Sequence, residues 1–285
     1  MGWLQRVRSW LSSGATPTGA TTAGRGLRVS GEPPSGNGAS SFHLTWELPG
    51  ELVAVAVTLE VAEPPSVDRL YFWALQVDFT NGGRAAGGGH LGFQHHPQYP
   101  GRTAVNWGGY DAGGAILPGT ASRLPGALDN PHTRNLAWQP GRPYRLAVGL
   151  APPDEQPAGG ATAWRGTVTD LVDATTVVVL DLLPQGSRLV RPMVWSEVFA
   201  RCEQPAVEVR WSDPWALTDA GQTLRPGAVV TNYQRREEGG CDNTCSWTDG
   251  DQLVQRTCTE RRIPQGTRLP LAGTAGSTGD VEPRL

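Results

Sequence analysis

The 285-residue chain carries 24 basic and 27 acidic residues, a formal net charge of −3, and every basic residue is an arginine. This balance argues against a nucleic-acid partner, because binding a phosphate backbone needs a basic face. No run approaches the ~20 apolar residues that span a bilayer, so the sequence predicts no transmembrane segment. The start of the chain lacks the apolar core of a secretion signal, which favours a cytoplasmic location; secretion is the alternative if the true start lies upstream.

The first twelve residues have the spacing of an amphipathic helix. Their apolar side chains fall on one stripe: Trp3, Leu4, Val7, Trp10 and Leu11. A helix this short is not stable alone in water, so we expect the stripe to contact a protein, a membrane surface or its own domain. A segment of small residues follows, and residues 1–37 are assigned to this helix and a flexible linker.

From residue 38 to residue 268 the chain has the pattern of β-strands. Along Tyr71–Phe79, and again along Leu52–Val61, side chains alternate with a period of two. Clusters of Gly, Pro, Asp and Asn separate such runs, as β-turns require. Ten or more strands of this kind predict an all-β fold, a two-sheet antiparallel sandwich of jelly-roll or concanavalin-like type. The small and polar residues 269–285 predict a disordered tail.

The segment Gly87–Asp111 holds three of the five histidines, and Gly88–His96 is interpreted as a strand. The pleat then turns His90, Gln94 and His96 to one face and Leu91 and Phe93 to the other. In the next strand, Val105 and Trp107 belong beside Leu91 and Phe93. His90 and His96 would be about 20 Å apart, which is too far for two ligands of one metal ion.

The outward side chains of this region form a polar row, which predicts a ligand-binding face. Amides, carboxylates and imidazoles hydrogen-bond sugar hydroxyls, and tyrosines in adjoining turns would stack on a sugar ring. The alternative is an ordinary solvated face of an antiparallel sheet. The predicted ligand-binding residues are Gln76, Asp78, His90, Gln94, His96, Asn106, Tyr99 and Tyr110.

Several runs of the sequence carry a resemblance to a known group of proteins: FWALQVDF, GGGHLGFQHHPQYPGRTAVNWGGYD, WQPGRPYRLAVGL and WRGTVTDL. Together they resemble an uncharacterised family of β-sandwich domains from GC-rich, Streptomyces-like actinobacteria. The resemblance covers roughly residues 70–185. It implies a layout similar to lectin-like and carbohydrate-binding folds, but no activity, because a fold does not define a function.

The four cysteines are Cys202, Cys241, Cys245 and Cys258. Their spacing is not the CxxC…CxxC of a zinc ribbon, although four cysteine ligands could in principle bind zinc. Free thiols and one or two disulfides are the other interpretations. A disulfide requires an oxidising compartment, so it would conflict with a cytoplasmic location.

Carboxylates offer weak support for catalysis. The sequence contains no GxSxG, no HExxH and no Gly-rich phosphate loop, and we expect no cofactor. If the protein is an enzyme, the candidates are Glu197 and Glu208, which could meet as a cross-strand pair in a glycoside hydrolase or lyase, and Asp78 as a third carboxylate. The sequence favours a non-catalytic module that binds a glycan or another polar ligand. A structural or interaction protein recruited through its N-terminal helix is the further alternative.

Overall fold

A computed structural model describes residues 26–128, 130–159 and 161–271. Within these ranges the regular structure is strand, apart from three 3-10 helices of three residues each. The sixteen strands are β1 (Ser40–Trp46), β2 (Ala54–Glu63), β3 (Tyr71–Asn81), β4 (Arg84–His95), β5 (Thr103–Tyr110), β6 (Thr133–Asn135), β7 (Pro143–Leu150), β8 (Trp164–Asp170), β9 (Thr175–Leu182), β10 (Arg188–Val198), β11 (Glu208–Leu217), β12 (Thr223–Leu224), β13 (Ala228–Tyr233), β14 (Cys245–Asp249), β15 (Gln252–Arg256) and β16 (Arg268–Pro270).

The strands form two large antiparallel sheets that pack face to face. The first sheet has the order β16-β13-β1-β10-β3-β4-β5-β6. The second has the order β14-β15-β11-β2-β7-β8-β9, with β12 beside β11. This architecture confirms the predicted all-β sandwich. In the part of the chain that the structure describes, no helix has the length and apolar character needed to cross a membrane.

One continuous core lies between the sheets, and the alternation along β3 builds its centre. Five side chains of β3 enter this core: Tyr71, Trp73, Leu75, Val77 and Phe79. Leu91 of β4 pairs with Trp107 of β5, and Phe93 pairs with Val105, as the sequence predicts. Trp107 is fully buried, and its indole N–H donates to the carbonyl of Trp164 at 2.8 Å.

The segment before β1 lies against the loops around the cysteines. The Arg28 backbone N–H donates to Asp242, and the Cys202 N–H donates to the Gly31 carbonyl. Residues 26–37, which the sequence assigns to a linker, therefore contact the sandwich. Leu269 and Pro270, assigned to the tail, belong to β16. The predicted N-terminal helix of residues 1–12 lies outside the described residues, and the domain limits stay predictions.

Candidate active site on the outer face of the first sheet

The side of the first sheet that faces away from the core, here called the outer face, carries the candidate site. Strand β10 shows how it arises. Val194 and Val198 enter the core, and the Ser196 hydroxyl donates to Gln255 of the second sheet. Because side chains alternate along a strand, Trp195 and Glu197 point to the outer face.

Aromatic rings form the floor of the outer face. Phe72, Ala74 and Trp195 are buried in an apolar cluster that is separate from the main core. The rings of Phe72 and Trp195 meet edge to face at 4.8 Å, and His90 lies 5.5 Å from Phe72 and 5.9 Å from Trp195. The Trp195 indole N–H donates to Gln76 Oε1 at 2.9 Å. This contact fixes the Gln76 amide, so its NH₂ group is left to donate elsewhere.

Glu197 lies at the edge of this aromatic floor. It is opposite Phe72 in the register of β10 and β3, and Phe72 is opposite Gln94 of β4. Neighbouring strands are about 4.8 Å apart, so Glu197 and Gln94 are about 10 Å apart at the backbone with Phe72 between them. Glu197 is half-buried and therefore keeps some contact with solvent.

The environment of Glu197 makes its carboxyl a weak acid. Burial raises its pKa from 4.5 to about 7, because a carboxylate loses solvation there. The Asn37 amide opposes this effect by donating to Glu197 Oε1 at 2.6 Å. Burial also raises the pKa of Tyr110, and the charge of Glu197 adds to that rise. The two side chains therefore act in the same region of the outer face.

The histidines of the outer face are neutral at physiological pH. Burial lowers the pKa of His90 to about 4, and nearby His132 lowers it further. Burial likewise lowers the pKa of His43 to about 4, and its ring lies 6.2 Å from that of Trp195. Neither ring is therefore a positive charge that would lower the pKa of the Glu197 carboxyl.

Part of the predicted ligand-binding row is covered. Gln94 and Asn106 are 1% and 4% exposed. The Tyr99 hydroxyl donates to Gln94 Oε1 at 2.7 Å, and the Asn106 amide donates to the Thr133 hydroxyl at 2.9 Å. Tyr99 is buried in this packing and presents no free ring for a sugar. The row is therefore not the open recognition face that the sequence predicts.

The remaining residues of the row are spread over the outer face. Gln76 and His90 are half-buried beside Trp195, and Tyr110 is half-buried with its ring 6.4 Å from that of His90. His96 lies beyond the end of β4, and its Nδ1 accepts from the Gln98 N–H. Asp78 lies towards the other end of β3, where the Arg191 guanidinium donates to it at 2.7 Å. Burial raises the pKa of Asp78, and Arg191 opposes the rise.

The predicted cross-strand carboxylate pair does not form. Glu208 belongs to β11 of the second sheet, where Arg210 and Arg256 hold it. Asp78 is six residues along β3 from Phe72, which places it about 20 Å along the strand from Glu197. Hydrolysis of a glycoside by two carboxylates needs them about 5–10 Å apart. Of the three candidates, Glu197 is the one that borders the aromatic floor of the outer face.

The cysteines do not form a zinc site. Cys202 and Cys241 are joined by a disulfide across a sequence separation of 39 residues. Cys245 is a buried free thiol and Cys258 an exposed one. Of the alternatives left open by the sequence, the structure selects one disulfide with two free thiols. Within the described ranges, no group of three His, Cys, Asp or Glu side chains is placed to hold a metal ion.

Asn37, the hydrogen-bond partner of Glu197, is the residue of the candidate site that sequence reasoning misses. It lies 160 positions from Glu197, in a Gly- and Ser-rich stretch that is typical of a linker. Phe72 and Trp195 are also absent from the predicted site, because large aromatic residues in a strand indicate core. The alternation of MVWSEVF could have found Trp195, since Val194 and Val198 already identify the opposite face as buried.

No family model and no curated protein matches the chain. Solved structures do match. One is Scytalido-glutamic peptidase with a peptide-based transition state analogue, at 10% identity and a TM-score of 0.43. Another is the same peptidase with a transition state analogue inhibitor, at 11% identity and a TM-score of 0.42. A third is SCP-B, a member of the Eqolisin family of peptidases, with the tripeptide Ala-Ile-His, at 10% and 0.40. Each comparison covers 76% of this chain and 97% of the other.

The structure corrects the predicted function. The sequence favours a non-catalytic glycan-binding module, whereas the structures that match are described as peptidases. That prediction is wrong, and the covered positions of Gln94, Asn106 and Tyr99 give the physical reason. At about 10% identity and TM-scores of 0.43 or less, the likeness carries no argument about activity, so the chemistry of this chain has to be argued from its own side chains.

Proposed function

We propose that this protein is a hydrolase in which the Glu197 carboxyl moves protons for the attack of water on a carbonyl carbon. The observation that supports the proposal is the position of Glu197: a half-buried carboxyl, reachable from solvent, whose pKa is raised to about 7. Strongly perturbed acids in recesses are concentrated at functional sites. A group with a pKa near the working pH is also the most efficient general acid or base.

The chemistry requires both forms of the carboxyl. As the carboxylate, Glu197 takes a proton from water as the water attacks the carbonyl carbon. The resulting carboxylic acid then returns that proton to the leaving group as the tetrahedral intermediate collapses. At pH 7 about half of the molecules carry each form, because the pKa is about 7.

The negative oxygen of the intermediate needs a hydrogen-bond donor that a substrate can reach. Gln94 is 1% exposed and covered by Tyr99, so it does not qualify. Gln76 is half-buried, and the Trp195 indole N–H occupies its Oε1, which orients the amide and leaves the NH₂ group as a donor. We therefore assign Gln76 as the donor to the negative oxygen, in a water-poor region where such a donor is most effective.

The aromatic floor favours a substrate with apolar parts. Phe72 and Trp195 are 3% and 5% exposed and form an apolar layer beneath this region, and the neutral His90 adds no charge beside them. Peptides and esters with apolar substituents fit this surface, whereas a polyhydroxylated sugar would leave its hydroxyls without partners. Peptide bonds are therefore the first class to test.

The test is a hydrolysis assay on purified protein with fluorogenic peptides, simple esters and glycosides, from pH 4 to pH 9. We expect turnover of peptides or esters and loss of at least about a hundredfold in kcat for Glu197→Gln, as for removal of a general acid–base group. Glu51→Gln, which changes an exposed carboxylate, is the matched control and should leave kcat unchanged. Absence of turnover in the unsubstituted protein, or full activity of Glu197→Gln, would overturn the proposal.

A further inference from the structure

We infer that Asn37 is a positioning residue that sets the proton affinity of Glu197. This inference rests on the proposed function only for its effect on turnover; the effect on the carboxyl itself does not depend on any activity. It starts from the 2.6 Å hydrogen bond between Asn37 Nδ2 and Glu197 Oε1.

The orientation of the Asn37 amide is determined by its other contacts. Asn37 Oδ1 accepts from the Ala39 backbone N–H at 3.1 Å, and it shares the single proton of the Ser35 hydroxyl, 2.7 Å away, with the Ala39 carbonyl. Exchanging this oxygen with the NH₂ group would place an N–H group against the Ala39 N–H and lose the bond between them. Nδ2 must therefore face Glu197, where it donates to the carboxylate and favours the ionised form.

The loop that carries Asn37 is itself held against the sandwich. The Ala39 N–H also donates to Ser35 Oγ at 2.7 Å, and Ser35 packs closely against Gly239, where an added Cβ would lie 2.5 Å from the Ser35 nitrogen. The Gly31 carbonyl accepts from the N–H of Cys202, which is joined to Cys241. Both ends of the short segment are thus held, so the donor has little freedom to leave the carboxyl.

This arrangement gives Asn37 a defined effect. Burial alone would raise the pKa of Glu197 further above its ordinary value, and the Asn37 donor brings it back to about 7. A pKa near 7 leaves both protonation states populated at neutral pH, which a single group acting first as base and then as acid needs. Loss of the donor would keep the carboxyl protonated and leave too little base to activate water.

The experiment is a ¹³C NMR titration of the Glu197 carboxyl, with protein labelled at glutamate and the resonance assigned through Glu197→Gln. In Asn37→Ala we expect the pKa of Glu197 to rise by about one pH unit, a tenfold increase in proton affinity. Asn37→Asp should raise it more, because two carboxylates disfavour each other's charge. Asn81→Ala, which removes an exposed amide that bonds Gln185, is the control and should leave the pKa of Glu197 in place.

A second variant tests whether a raised pKa comes from loss of the Asn37 donor or from unfolding of the loop that carries it. Asn37→Ser keeps a short acceptor for the Ala39 N–H but cannot reach Glu197, so it should raise the pKa as Asn37→Ala does. In enzyme assays the acidic limb of kcat/KM, which reports the ionisation of the general base, should move to higher pH by the same amount, with KM little changed. An unchanged pKa in folded Asn37→Ala and Asn37→Ser overturns the inference. A raised pKa in a protein that hydrolyses nothing supports the inference and overturns the proposed function instead.

Discussion

Replacing Glu197 by glutamine should make the protein more stable at alkaline pH while abolishing turnover. The carboxyl has a pKa of 4.5 when exposed and about 7 in the folded protein. Between these two values the unfolded chain releases the proton and the folded chain retains it, so the free energy of unfolding falls as the pH rises. The stabilising effect is complete below pH 4.5 and is lost by about pH 7.

The size of the effect follows from the same two values. A difference of about 2.5 pH units at 1.36 kcal/mol each amounts to about 3 kcal/mol. Glutamine has nearly the same shape, cannot ionise, and still offers an oxygen to the Asn37 amide. Glu197→Gln should therefore match the unsubstituted protein at pH 4 and exceed its free energy of unfolding by about 3 kcal/mol at pH 8. A residue that lowers stability where it is charged is typical of functional sites.

Urea unfolding, followed by tryptophan fluorescence at intervals from pH 4 to pH 9, measures the effect. The difference between the two proteins isolates Glu197, because the other titrating groups are common to both. Glu51→Gln provides the control for a change of net charge. Two stability curves that stay parallel over this range would show that the carboxyl is not perturbed, and the reasoning on Glu197 would be refuted.

Three further predictions concern the rest of the molecule. Changing Cys202 and Cys241 to alanine should lower the free energy of unfolding by about 4 kcal/mol in urea titrations, from the entropy of a loop of 39 residues; an unchanged midpoint would contradict the disulfide. Gly166→Ala should lower the thermal midpoint by an amount equivalent to about 1–3 kcal/mol, because the added methyl would lie 2.7 Å from Trp107. An unchanged midpoint in calorimetry would contradict this packing. Burial holds the pKa of His43 at about 4, below its ordinary 6.5, so the unfolded chain binds more protons in this window and stability rises with pH across it. His43→Gln should reduce this rise in the free energy of unfolding by about 3 kcal/mol. A pH dependence of stability between pH 4 and pH 7 identical to that of the unsubstituted protein would disprove the lowered pKa of His43.

The disulfide also bears on where the protein is found. Such bonds form in oxidising compartments and are rare in the cytosol. The cytoplasmic location expected from the sequence stays a prediction, and a thiol titration under denaturing conditions tests its premise. Two reactive thiols per chain before reduction and four after it would support the Cys202–Cys241 bond. Four reactive thiols before reduction would show that this disulfide is absent.

The fold could be predicted because it depends on a local pattern. Alternation along Tyr71–Phe79 separates a buried face from an outer one whatever the rest of the chain does. The pairing of Leu91 with Trp107 and of Phe93 with Val105 follows from that alternation and a short turn. These features need no knowledge of distant residues.

The site could not be predicted because it depends on contacts between distant segments. Whether Gln94 faces solvent is decided by how the turn containing Tyr99 folds back over the sheet, and the sequence carries no periodic signal for this. The pKa of Glu197 reflects burial and a donor 160 residues away. Polar residues at outward positions of a strand look alike in sequence, whether they are covered or exposed.

The predicted actinobacterial resemblance, and the contacts expected of the stripe from Trp3 to Leu11, stay predictions. The stripe lies outside the described residues. An N-terminal truncation of residues 1–25, assayed on the same substrates, would show whether turnover needs this segment. We expect turnover to be unaffected, because Asn37 and the residues that hold its turn, Gly31 and Ser35, lie after residue 26.

The most direct test of the account is the acidity of Glu197 in the unsubstituted protein. A ¹³C NMR titration of the labelled carboxyl from pH 3 to pH 9 should give a midpoint of about 7, as burial on the outer face requires. A midpoint near 4.5, the value of an exposed glutamate, would contradict the account, since such a carboxyl would have neither the raised proton affinity nor the proposed role.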